Sequence, residues 1–368
     1  MSPATESALE IRRWQGIEAL EREAQRAESL FRAADLDPLC NSASWLVAHA
    51  RAFVDPADLF GWTVERGEEV VGFLPLRLEP ARGRFALRRA LLSSDGTFDS
   101  DYLDVALAPG EEREVGRLLV DALASERRLQ AVVLSGVPDA SRFLPVLRDE
   151  LARRRLPARE RPGDCLAAPL PETLDDFVGG LKSRMRSKVR QARRRAEEAG
   201  ATLAWCTDET RLEEHLEGLF DLHGQRWSEV GENGSFAEEP RRALYHELLG
   251  IHGPRDELRF SRLDLEGRPI AYQFGLRRGD TYYQLQEGYD PAVESFRSAT
   301  ALRVLSIGAL IDEGVTSYDY MAGATRHKRD WGGVDRPCTT VAFALPRLRA
   351  RISYGLRAWQ DRRASAES

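Results

Sequence analysis

The order of elements between Leu258 and Leu345 constrains this chain more than any other feature. Three apolar and aromatic runs, LRFSRLDLEG, RPIAYQFGLRRGD and TYYQLQEGYD, follow one another across the turns Glu266-Gly267 and Gly279-Asp280. Such runs around such turns read as consecutive antiparallel strands. A helix, TALRVLSIGALIDEG, comes next, and then the strands VTSYDYM and TTVAFAL. Ahead of the meander lie a long basic helix, LDDFVGGLKSRMRSKVRQARRRAEEAG, closed by Gly200, and a strand, ATLAWCT. Two further helices, RLEEHLEGLFDLHGQRWSEV and EEPRRALYHELLG, lead into it. Their apolar residues recur at helical spacing, and a glycine after the last periodic residue is a usual stop.

The residues before Pro162-Gly163 run through a similar order. From about Glu10 to Ala34 the apolar positions Ile17, Leu20, Ala24, Ala27, Leu30 and Phe31 keep a helix period. SASWLVAHARAF opens on a capping serine, Ser42 or Ser44, and FGWTVERGEEVVGFLPLRLEP is hairpin-like. SSDGTFDSDYLDVAL reads as loop then strand, Glu111 to Glu126 as a helix, and AVVLSGVP as a short buried strand. The predicted class is therefore α+β. Two tandem domains are expected, residues 1–165 and 166–368, each a mixed, mainly antiparallel sheet flanked by helices.

Composition narrows the function. With 42% hydrophobic and 30% charged residues over 368, the chain has the makings of folded globular domains. A net charge of -6 excludes general polyanion binding, so any anionic ligand must meet a local basic surface. Cys40, Cys165, Cys206 and Cys338 form no CxxC pair, which argues against a zinc ribbon or a disulfide framework. The six histidines make no HExxH or other ligand spacing, so no metal is expected. Asp99, Asp101 and Asp104 in FDSDYLD lack EF-hand spacing. MSPATESALEIRRW has no signal-peptide core, and no apolar run reaches the ~20 residues of a membrane span. A cytoplasmic protein is expected.

Among 53 cations only Lys182, Lys188 and Lys328 are lysine, a bias that a GC-rich genome would produce. Lys328 lies in YDYMAGATRHKRDWGG. A compact amine kept there, between His327 and Arg329, invites a role that a planar guanidinium cannot fill. The basic helix from Lys182 to Arg195 carries eight cations with no intervening acid. It reads either as a solvated face or as a surface for CoA phosphates or a tRNA acceptor stem.

The order of the second half is the layout of the GNAT acyltransferase fold. LDLEGRPIAYQFGLRRGDTYYQLQEGYDP, ALRVLSIGALIDEGVTSYDYMAGATRHKRDWGG, LFDLHGQRWSEVGENGSFAE and SASWLVAHARAF resemble segments of the CelD-like acetyltransferase family. That family is related to the Fem-type aminoacyltransferases, which carry two GNAT-like domains in tandem. The resemblance implies an N-acyltransferase that moves an acyl group from acyl-CoA, acetyl-CoA first, to a primary amine on a small molecule. Aminoacyl-tRNA is the alternative donor, and a non-catalytic binding module the third reading. The sequence departs from the family at its phosphate loop, where Phe296-Arg297-Ser298-Ala299-Thr300-Ala301 has no glycine.

The resemblance and the residue chemistry together nominate the site. Lys328 corresponds to the family's closing lysine and is expected to stabilise the oxyanion, with Asp319 orienting it or binding the amine. Glu287 is the candidate base and Tyr289 the candidate acid. Gln286, Arg297, Ser298, Ala299 and Thr300 are the candidate donor contacts, at and before a helix N-terminus. His223, Arg226 and Trp227 share a helix face suited to the acceptor, and the resemblance adds Asp101 and Tyr102. Each has a competing reading: core packing for the tyrosines, a structural histidine at His223, an ion pair at Asp319.

Overall fold

The computed structural model describes residues 8–79, 86–97, 99–229, 231, 233–253 and 257–354. The C-terminal end of the basic tail, from residue 355, lies outside them. The chain divides into two compact units, Met1–Gly163 with Pro337–Ser368, and Asp164–Arg336.

Unit 1 opens with β1 (Leu9–Gln15), α1 (Ile17–Arg26), α2 (Glu28–Ala33) and α3 (Ala43–Phe53). It continues through β2 (Leu59–Arg66), β3 (Glu69–Glu79), β4 (Arg89–Leu92), β5 (Ala106–Leu107), α4 (Glu112–Ser125), β6 (Ala131–Pro138), α5 (Phe143–Arg153) and β7 (Ala158–Pro162). Unit 2 holds β8 (Cys165–Pro169), α6 (Leu174–Gly180), α7 (Ser183–Glu198), β9 (Thr202–Trp205), α8 (Leu212–Glu229) and α9 (Glu239–His252). The meander β10 (Leu258–Leu265), β11 (Arg268–Arg278) and β12 (Thr281–Tyr289) follows. Then come α10 (Ser298–Asp312), β13 (Ser317–Ala322), α11 (Arg326–Asp330) and β14 (Val334–Arg336). The last strand, β15 (Cys338–Ala344), belongs to unit 1.

The α+β class with two mixed sheets is as expected. One sheet runs β1-β2-β3-β4-β6-β15-β7 with β5 beside β3, and the other β9-β10-β11-β12-β13-β8-β14. Each path has one parallel neighbour pair among the described strands, β4 with β6 and β12 with β13. In each sheet the next strand lies far along the chain from the strand beside it. β15 follows unit 2 in the chain yet pairs with β6 and β7, while β8 follows unit 1 yet pairs with β13 and β14. The domain expectation of 166–368 therefore needs correcting, because TTVAFAL completes the first sheet. Its alternation identifies a strand but cannot say which sheet receives it.

Two helix expectations change as well. Leu9–Gln15 is a strand paired to β2, and Gly16, at φ 85°, separates it from α1. Trp14 lies over Gly61, where even a Cβ would come within 2.2 Å of the indole. The basic helix is two helices. Gly179-Gly180 end α6, and Leu181 and Lys182 are extended before α7 begins.

β15 is a central strand with Val341 and Phe343 fully buried. Phe343→Ala should cost about 3–5 kcal/mol of stability, the range for a buried aromatic truncation. A chain ending at Arg336 should lose unit 1's cooperative calorimetric transition. An unchanged transition in that truncated chain would refute the assignment of β15.

Candidate functional site

In unit 2 a cleft of about 1730 Å³ opens where β12 leaves β13. The two strands pair only over Thr281–Tyr283 with Ser317–Asp319, although β12 runs on to Tyr289. Beyond that point Glu287 and Tyr289 line the cleft, facing the start of α10, the flank of α7 and α11.

A bulge decides which side chains of β12 point there. Phe274 pairs with Gln286 but Gly275 with Gln284, so Leu285 is an extra residue. The slip puts Glu287 and Tyr289 on the face of Tyr282 and Gln284, where strict alternation would have put Gln286. Gln286 is accordingly absent from the cleft lining. On the opposite face Gly288 lets α8 come close: a Cβ there would meet the His223 nitrogen and the Leu219 carbonyl oxygen at 2.8 and 2.9 Å.

Glu287 forms a short ion pair with Arg303, whose side chain is 5% exposed on a helix whose buried face is otherwise uncharged. Arg303 also donates to His327 Nε2 at 2.8 Å and lies 5.2 Å over the Trp331 ring. Burial pushes the Glu287 carboxyl up, but Arg303, Arg226 and His327 outweigh it and hold the carboxyl below its ordinary range. Burial, with Arg303 next, pushes His327 down to about 4, so its imidazole is neutral at pH 7 and accepts from Arg303. Neither Arg303 nor His327 was nominated from the sequence. A lone arginine inside the apolar run ALRVLSIGALID was the available signal.

The donor candidates other than Gln286 converge. Arg297, Ser298, Ala299 and Thr300 all line the cleft at the start of α10. Arg297 takes the left-handed conformation (φ 55°, ψ 50°) that glycine would adopt without strain. Ser298 is 1% exposed and its Oγ is buried without a hydrogen-bond partner among the described residues. From α7, Arg184, Lys188, Gln191 and Arg195 reach the cleft at helical spacing, while Met185, Val189, Ala192 and Ala196 are buried. Burial, then the neighbouring Arg297 and Arg303, pushes the Lys188 ammonium below the ordinary lysine value. Among the described residues nine Lys and Arg side chains line the cleft against two carboxylates, Glu287 and Asp330.

Of the other nominees only Arg226 belongs to the lining among the described residues. Lys328, on α11, donates from Nζ to the Tyr320 and Ala322 carbonyls of β13 at 2.6 and 2.5 Å. The amine therefore ties α11 to a strand end, and the expected oxyanion donor does not line the cleft. Asp319 is fully buried. Its Oδ1 accepts from the Met321 N–H at 2.7 Å and its Oδ2 pairs with Arg336. Arg226 does line the cleft, stacked 5.1 Å from the Tyr289 ring centroid and 5.5 Å from that of Trp227. Trp227 and His223 sit behind it, the indole Nε1 donating to His223 Nε2 at 3.0 Å. Asp101 and Tyr102 belong to unit 1, where Tyr102 is 1% exposed and its carbonyl accepts from Asn41. No cluster of three metal-ligating side chains gathers among the described residues, and no helix there is long and apolar enough to cross a membrane.

Two outcomes follow from this geometry. Lys328→Met should lower stability by about 1–3 kcal/mol, the scale of lost charged hydrogen bonds. Lys328→Arg should not restore it, because the larger planar fork does not fit the point between the Tyr320 and Ala322 carbonyls that the ammonium fills. In an NMR titration His327 should protonate near pH 4. Arg303→Met should move that midpoint up, toward the ordinary histidine value of about 6.5. An unmoved midpoint would contradict the contact.

Residues 183–329 match the family model described as acetyltransferase (GNAT) domain. The fold is similar to that of FemX (TM-score 0.58, 12% identity, 88% of this chain and 95% of that one). It is also similar to L-PGS from Bacillus licheniformis (TM-score 0.54, 12% identity, 90% and 96%). A tandem GNAT protein from the clavulanic acid biosynthesis pathway matches with TM-score 0.51 and 16% identity over 92% and 98%. No curated protein matches the chain in sequence. The chain carries a GNAT acetyltransferase domain, on a fold it shares with FemX and tandem GNAT proteins.

Proposed function

We propose that the protein is an N-acyltransferase of the CelD-like kind, transferring an acyl group from acyl-CoA, acetyl-CoA first, to a primary amine. The observation that carries this is the α10 N-terminus in the cleft, with an orphaned Ser298 Oγ and cations from α7 and Arg297 around it. Free N–H groups at a helix start, a hydroxyl without a partner and clustered like charges all gain from a bound phosphate. Glu287 and Tyr289 lie in the same cleft, where the acyl group would meet the amine. An acyl-CoA donor implies a cytoplasmic protein.

In this reading the Glu287 carboxylate, kept ionised by Arg303 and Arg226, orients the acceptor ammonium and takes its proton in step with the attack of the nitrogen on the thioester carbonyl. The new C–N bond forms, the C–S bond breaks, and the thiolate leaves with a proton from Tyr289; the amide nitrogen sheds its second proton to solvent. Arg303 holds Glu287 in place, and Lys328 acts as a positioning residue through α11, which carries His327 and is followed by Trp331. Glu287→Gln should lower kcat by about 10²–10⁴-fold with donor affinity little changed, the range for a lost general base.

A second donor class is favoured by the length of the α7 stripe. Arg184 to Arg195 spans roughly 17 Å at 1.5 Å per residue, more than one pyrophosphate needs. Thermal-shift titration decides. Acetyl-CoA should raise Tm, and Lys188→Ala or Arg297→Ala should weaken its binding about tenfold. Stabilisation by charged tRNA alone would replace the CoA assignment by an aminoacyl-tRNA-dependent one. Silence from both would leave a binding module.

A further inference from the structure

Two groups in the cleft are left open by the network that holds them. Arg303 and Gln284 both donate to Glu287 Oε2, and Oε1 has no partner among the described residues. The Glu287 side chain is 17% exposed, and it lines the cleft. The Arg226 guanidinium is fixed over the Tyr289 and Trp227 rings, yet no carboxylate pairs with it among the described residues. Arg226 and Glu287 face the same space, since each lines the cleft and Arg226 helps hold the Glu287 carboxyl ionised.

Stacking explains the posture of Arg226 but not its cost. A guanidinium held over aromatic rings keeps N–H groups to offer, and its planar fork matches a carboxylate in two parallel hydrogen bonds. The open oxygen of Glu287 matches an ammonium. Together they present a negative and a positive point to a ligand that carries the opposite pair. Lys188 and Arg297 neighbour each other at the α10 start with Ser298, and the proposed donor goes to them, the acceptor to Arg226.

We infer that the acceptor is a primary amine that also carries a carboxylate, an amino-acid-like zwitterion, with its ammonium on Glu287 Oε1 and its carboxylate on Arg226. This rests on the acyltransferase reading for the site's use, but the recognition it describes is testable without turnover. It also gives α8 a function: Gly288 permits the close approach that brings Arg226 to the end of β12.

Ligand-observed NMR and calorimetry on the full chain would compare matched pairs that differ only by the carboxylate. Glycine with methylamine, β-alanine with ethylamine, and phenylalanine with phenethylamine serve as probes, and phosphoethanolamine as the phosphate-bearing control. The amino acid of at least one pair should bind about tenfold or more tightly than its amine, the scale of a charge-assisted hydrogen bond. Arg226→Gln should erase that preference, Arg226→Lys should restore part of it, and Glu287→Gln should weaken both members of the pair. Acetyl-CoA affinity, measured on the same variants, should stay within about twofold. Equal binding within every pair, a preference for phosphoethanolamine, no binding of any probe, or a preference that survives Arg226→Gln would each overturn the inference. So would a large loss of acetyl-CoA affinity in Arg226→Gln, which would put Arg226 on the donor. A failure of acetyl-CoA to bind, with the amino-acid preference intact, would instead refute only the donor assignment.

Discussion

The ion pair between Glu287 and Arg303 fixes the geometry of unit 2 around the cleft. Burying two charges costs several kcal/mol each before their attraction is counted, so such a pair adds little net stability compared with apolar packing. What it does supply is register. Glu287 stands on β12 and Arg303 on α10, and the same guanidinium binds His327 and stacks on Trp331, both near α11. From α11, the Lys328 amine and the Trp331 carbonyl, which accepts from Tyr320 Oη at 2.9 Å, lead back to β13. One buried charge pair thus sets the two sides of the strand opening relative to each other. Removing either partner would leave the other charged and uncompensated, which is far costlier than never having buried the pair.

Much of the fold was legible because hydrophobic period survives in the sequence. The meander, α8, α9, α10 and β13 lie where the runs and turns put them. The exceptions have physical causes. Leu9–Gln15 is a mostly exposed edge strand whose apolar residues are too few to declare a period of two. The receiving sheet of β15 is a long-range choice, made by packing against β6 and β7 and invisible to local pattern. Within the site, the strand end and helix start were readable, and Glu287, Tyr289, Arg297 to Thr300 and Arg226 do share the cleft. Gln286 was lost to a one-residue bulge that nothing in TYYQLQEGYD announces. Lys328 was singled out for its rarity. Rarity identifies a position where an amine matters but cannot say whether the amine faces a ligand or the backbone.

The basic segment shows how phase separates charges that composition lumps together. Its apolar stripe fixes how α7 rotates against the core of unit 2. That rotation leaves Arg184, Lys188 and Arg195 on the cleft side. Others are used locally: Arg193 pairs with Asp175 and Glu197, Arg194 with Glu198, and Arg186 donates to the Gly179 carbonyl. A protein of net charge -6 can thereby hold a strongly cationic cleft. A cleft of that sign draws anionic ligands to itself ahead of the surrounding surface.

The two units share a strand plan but differ at the helix start that matters for anion binding. In unit 1 the helix before the parallel strand β6 is α4, the counterpart of α10 in unit 2. Its first turn carries Glu112 and Glu114, whereas the first turn of α10 has no acid and Arg297 stands at its N-cap. Glu112 accepts from the Gly110 N–H at 3.0 Å and pairs with Arg142, and its own backbone N–H leads the contacts that lower its carboxyl pKa. At α4 the positive end of the helix is thus answered by a carboxylate of the chain itself, and an incoming phosphate would meet like charge. At α10 the same end faces a cleft lined with cations and an unpartnered Ser298 hydroxyl. A shared fold therefore has its positive helix end answered by the chain's own carboxylate at α4 and facing a cationic cleft at α10, and the charge of the first turn makes the difference.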